Sequence, residues 1–122
     1  MTRPPSSDAD ADLPGELLRR WTAALGTDPD VDAAGRGLLD RYAEPHRRYH
    51  DQTHLLEVLV RLEQMSEPVP PGAVLGAFFH DAVYRGAPDD EERSAVLAAE
   101  VLAGLGVAPE VVDEVARLVR VT

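Results

Sequence analysis

Residues 73–84 read AVLGAFFHDAVY, and this stretch decides the fold. It is apolar on nearly every side until His80, which is the composition of a helix buried at the centre of a helical domain rather than one half-exposed to water. The spacing predicts a helix over 73–84, with Gly86 letting the chain leave it. The His80-Asp81 pair then sits near the end of a buried helix, where two polar, ligating side chains need a reason to be.

Working outward, the flanking segments carry helical periodicity and no strand alternation. Leu17, Leu18, Trp21, Ala24 and Leu25 form one stripe over 13–25, with Asp12 as N-cap and Gly26 as stop. A weaker stripe, Val31, Ala34, Leu38 and Tyr42, predicts a helix over 31–43, which Gly35 and Gly37 weaken and Pro45 closes. Leu55, Leu59 and Leu62 mark a helix over 52–65 capped by Asp51, and the proline-containing stretch 66–72 reads as a turn. Four acids, Asp89 to Glu92, open the next helix, where the helix dipole favours them. Its inner face is Ala95, Ala98, Ala99 and Leu102, and Gly104 and Gly106 end it. Pro109 suits the first turn of a last helix built on Val112, Val115, Leu118 and Val119. The fold class is therefore all-α, an irregular bundle of about six helices over 13–122, preceded by a loose tail over 1–12.

Composition narrows the chemistry. A chain of 122 residues fits one small domain, and 44% apolar residues supply a core. Cysteine is absent, which removes disulfides and thiolate ligands, so any bound metal must take nitrogen and oxygen donors. The formal charge is −10, and the chain has no lysine, which argues against nucleic acid or an anionic membrane as a partner. No apolar run approaches the roughly 20 residues of a membrane span, and residues 1–12 lack the apolar core of a secretory signal. A cytoplasmic location is the expectation.

The ligating side chains share one pattern. Tyr49-His50-Asp51-Gln52-Thr53-His54 lies one helix upstream of Phe78-Phe79-His80-Asp81. If the two helices run antiparallel across a short loop, the start of one faces the finish of the other. His54, His80 and Asp81 then surround one cation, leaving open positions for water and substrate, as in catalytic sites. The ion is a divalent metal, Mn, Fe, Co, Mg or Zn, because imidazole and carboxylate donors do not discriminate strongly among them. His50, one turn before His54, is placed to protonate a leaving oxygen. Glu91 or Glu92 is placed to orient the attacking water, and Arg47 and Arg48, with Arg85 and Arg93 nearby, are candidates to bind the phosphate of a small phosphorylated substrate. His46 reads as surface, and Phe78 and Phe79 as core.

The order H…HD resembles the HD-domain superfamily of metal-dependent phosphohydrolases. Arg48-Tyr49-His50-Asp51-Gln52-Thr53-His54, Phe79-His80-Asp81-Ala82-Val83-Tyr84 and Asp90-Glu91-Glu92-Arg93-Ser94-Ala95 are similar to a family of small bacterial predicted HD phosphohydrolases. The first segment also resembles the YHN-x-x-H element of cyclic-nucleotide phosphodiesterases, with Asp51 where those enzymes have asparagine. The likeness implies that His50 is the proton donor, that His54, His80 and Asp81 are metal ligands, and that the reaction is hydrolysis of a phosphoester or phosphoanhydride in a nucleotide-like small molecule. The superfamily pattern ends with a further aspartate on a later helix, so the resemblance also implies a bundle lacking its C-terminal helices. The competing expectation is a non-catalytic helical binding module that keeps the fold, or one that forms a homodimer through an uncovered apolar face.

Overall fold

A computed structural model of the chain describes residues 13–47 and 50–121. Among them are six α-helices and no strand: α1 (Leu13–Leu25), α2 (Pro29–Tyr42), α3 (Gln52–Met65), α4 (Pro71–His80), α5 (Asp90–Gly104) and α6 (Pro109–Arg120). The expected tail over 1–12, its Asp12 cap and Arg48 lie outside the described residues. None of these helices is long and apolar enough to cross a membrane.

Helix α4 is the centre. It packs against α1, α3, α5 and α6, and Leu75, Phe78 and Phe79 are fully or almost fully buried. That explains why its sequence is apolar all round. Each large side chain taken out of water there contributes about 1.5–3 kcal/mol. Trp21 from α1 meets Phe78 edge to face, with ring centroids 5.2 Å apart, and lies 5.8 Å from Phe79. Around them Leu17, Leu55, Leu59, Leu102, Val115 and Val119 complete the core.

Two helices have bounds that differ from those the sequence predicts. Helix α2 begins at Pro29 rather than 31, because the Asp28 carboxylate accepts a hydrogen bond from the Asp30 amide at 2.9 Å and caps the helix early. Helix α4 spans Pro71–His80 rather than 73–84. Its early end has a non-local cause. The Asp81 and Ala82 carbonyls accept from the Arg47 guanidinium, and the Val83 amide donates to the Ser94 hydroxyl of α5. Groups that would have extended the helix are held by other segments, although Ala82-Val83-Tyr84 remains apolar in sequence.

The expectation that Gly35 weakens α2 meets a compensating contact. A Cβ at Gly35 would lie 2.5 Å from Cδ1 and 2.7 Å from Nε1 of the Trp21 ring. The ring cannot yield, since it is fully buried and its Nε1–H donates to the Val31 carbonyl at 2.7 Å. Gly35→Ala gains about 1 kcal/mol of helix propensity but overpacks the core at a cost of about 1–3 kcal/mol. The expected outcome is a net loss of stability in thermal or urea unfolding; an unchanged or raised midpoint would contradict this packing.

Candidate metal centre

Two chain segments deliver the ligating side chains to one place. Helix α3 starts where Asp51 caps it, its carboxylate accepting from the His54 amide at 3.0 Å, which fixes His54 in the first turn. His50 immediately precedes that cap. From the other side, His80 is the last residue of α4 and Asp81 its C-cap. Helices α3 and α4 pack together, so the beginning of one meets the end of the other. The carbonyl end of α4 carries a partial negative charge, which favours a cation there.

His50, His54 and Asp81 each offer one ligand atom, and these atoms all lie within 4.8 Å of one another. This half-buried group can hold a metal ion. Asp81 Oδ2 is the hub, 2.7 Å from His50 Nδ1 and 3.2 Å from His80 Nε2. His80 donates its Nδ1–H to the Ala77 carbonyl at 2.6 Å, which turns Nε2 towards the carboxylate. The His54 ring centroid lies 5.7 Å from that of His50 and 6.3 Å from that of His80. The tightest trio thus contains His50, which the sequence set apart from the ligands, and His80 joins it through a shared carboxylate oxygen.

The donor chemistry fits a cation. With Nδ1–H committed to Ala77, a neutral His80 would aim a lone pair at a carboxylate oxygen. That arrangement is favourable only if His80 is protonated or a positive ion lies nearby. Burial works against protonation of His80, yet the hydrogen bond and charge of Asp81, helped by the Ala77 carbonyl, raise its pKa above the ordinary value. Burial likewise pushes the Asp81 carboxyl up, but His80 and then His50 outweigh it and hold it down at about 2. The site is built for one or more positive charges around a carboxylate that stays ionised.

The other residues singled out in the sequence are engaged as follows. Arg47 does not present its guanidinium to a phosphate: its side chain is 1% exposed and donates to the carbonyls of His50, Asp81 and Ala82 and to the Glu44 carboxylate. Glu92 is exposed and held by both oxygens to Arg120 of α6, at 2.7 and 3.1 Å, so it is an ion-pair partner on the surface. Glu91, also exposed, is outside the converging group. Arg85 and Arg93 pair with Asp89, and Arg85 also with Asp90. His46 is on the surface as expected, with Nε2 2.8 Å from the Tyr84 carbonyl oxygen.

Other supporting residues give no sign of their role in the sequence. Tyr42, placed on an apolar stripe, is fully buried; its hydroxyl donates to the Phe78 carbonyl at 2.9 Å and accepts from the Asp81 amide at 3.3 Å. Ser94 is fully buried and bonds both the amide and the carbonyl of Val83. Tyr84 lays its ring 4.4 Å from that of His50. Asp90 accepts from the amides of Arg85, Gly86 and Ala87, folding the loop that follows the cluster. Comparison with protein-family models, with curated proteins and with solved structures gives no match to this chain.

Proposed function

We propose that this chain is a divalent-metal-dependent phosphohydrolase of the HD type, cleaving a phosphoester or phosphoanhydride in a nucleotide-like small molecule. The observation that carries this reading is the convergence of His50, His54 and Asp81 within 4.8 Å, with His80 3.2 Å from the same Asp81 oxygen. His54, His80 and Asp81 are the ligands that the HD resemblance assigns, and His50 lies close enough either to join them or to act beside them. When bound, Mn, Fe, Co, Mg or Zn supplies positive charge against phosphoryl oxygens and acidifies water near pH 7. His50 donates its Nδ1–H to Asp81, so Nε2 is the atom that presents a proton to a leaving oxygen. Asp81 orients that imidazole through this contact. Ala77 performs the same orienting task for His80 through Nδ1.

A second reading, a helical module that binds metal without hydrolysis, is favoured by one observation. Three of the arginines expected at the phosphate are engaged elsewhere: Arg47 with backbone carbonyls, Arg85 with Asp89 and Asp90, and Arg93 with Asp89. Phosphate release from nucleoside mono-, di- and triphosphates and from a generic aryl phosphate, measured with each of the five metals in turn, separates the two. Release that requires metal and is lost in His50→Ala supports the hydrolase. A metal-loaded chain that releases no phosphate from any of these compounds supports the module and overturns the proposal.

A further inference from the structure

We infer that Arg47 is a positioning residue for the candidate metal centre: its guanidinium clamps the segment bearing His50 to the segment bearing Asp81. The inference rests on the reading of His50, His54 and Asp81 as a metal site. The two segments come from different helices, one entering α3 and one leaving α4. A single side chain bridges them through backbone atoms. Arg47 Nη1 donates to the His50 carbonyl at 3.2 Å and to the Asp81 carbonyl at 2.6 Å, and Nη2 donates to the Ala82 carbonyl at 2.9 Å. Nε donates to Glu44 at 3.2 Å.

The chemistry of the group matters as much as its position. A guanidinium is planar and rigid, so carbonyls bonded to one fork are held at a fixed separation. A lysine ammonium carries the same charge on a flexible stem and imposes no such spacing. The Arg47 side chain is 1% exposed, and its charge lies 4.9 Å over the Tyr42 ring and 5.7 Å over the Tyr84 ring. Tyr84 is the ring that packs on His50, and the Tyr42 hydroxyl accepts from the Asp81 amide. Arg47 therefore controls both residues through their main chains and through the two tyrosines beside them. A buried charge with this many partners cannot swing away without leaving itself and the carbonyls unpaired. The carbonyls of Asp81 and Ala82, just past the end of α4, gain in Arg47 a partner that also sets the direction of Asp81.

Cobalt(II) alone is the probe, titrated into the full chain and into Arg47→Lys and Arg47→Met at a temperature well below unfolding, with circular dichroism confirming the helices. A role in stability alone lowers the melting temperature but leaves the affinity and visible spectrum of the folded protein unchanged. A positioning role weakens cobalt binding by about 10–100-fold, the range seen when the outer partners of ligands are lost, and alters the d–d bands because the ligand set is displaced. Arg47→Lys decides the matter if Arg47→Met does not fold. Wild-type affinity within twofold and an unchanged spectrum in folded Arg47→Lys would overturn the clamp while leaving the metal site standing. Failure of the wild type to bind cobalt would remove the metal reading and the clamp together.

Discussion

Asp81→Asn is expected to weaken divalent-metal binding by at least about 100-fold, beyond the 10–100-fold typical of losing an outer partner, while the helices stay folded. The carboxylate is the hub of the cluster: Oδ2 meets both His50 and His80, at 2.7 and 3.2 Å. Asparagine keeps the shape but removes the charge, so the remaining donors are neutral imidazoles. The fold survives because the Asp81 amide and carbonyl, held by Tyr42 and Arg47, are untouched by the change. A second readout comes from His80. Burial lowers its pKa and Asp81 raises it, so removing the carboxylate leaves burial dominant. An imidazole titration followed by NMR in metal-free protein should show His80 protonating at lower pH in Asp81→Asn than in wild type. Full metal affinity in Asp81→Asn, or no downward movement of His80, would contradict this geometry.

Phe78→Ala should have the largest effect on stability, a loss of about 3–5 kcal/mol. Phe78 is fully buried on the central helix, and its ring meets Trp21 at 5.2 Å. Truncation removes the transfer energy of the ring, leaves a cavity and forfeits an aromatic contact of about 0.5–1.5 kcal/mol. Domains of this size have a total stability of about 5–15 kcal/mol, so the variant loses a large part of it. The site suffers as well, because Phe78 is two residues before His80 and its carbonyl receives the Tyr42 hydroxyl. Denaturant unfolding with and without metal checks the expectation. A loss below about 1 kcal/mol, the range of ordinary surface changes, would contradict a central role for this ring.

The helices were legible because each carries a periodic apolar stripe bounded by local signals. Asp51 was readable as a cap because an acid before an apolar run has few other reasons to be there, and Asp51 caps α3. The end of α4 was not readable. Ala82, Val83 and Tyr84 continue its apolar pattern, and the stop is imposed by Arg47, Tyr42 and Ser94, which are distant in sequence. The same distinction governs the site. That His50, His54, His80 and Asp81 come near one another was legible because ligating residues at helical spacing, on helices that run antiparallel, have few places to go. The burial of Arg47 was not legible because an arginine beside a candidate site looks the same in sequence whether it faces a phosphate or buries itself among carbonyls. The pairing of Glu92 was not legible for a similar reason: its partner, Arg120, lies on the next helix, and only the packing of α5 against α6 reveals it.

X-ray absorption at the metal edge, on the full chain loaded with one equivalent of zinc or cobalt and then dialysed, addresses the central claim most directly. The prediction is retained metal whose nearest neighbours are imidazole nitrogens and a carboxylate oxygen at about 2.0–2.2 Å, with the outer-ring scattering of at least two histidines that weakens in a His54→Ala variant. Metal that washes out entirely, or that stays with a shell of water oxygens and no imidazole signature, would contradict it.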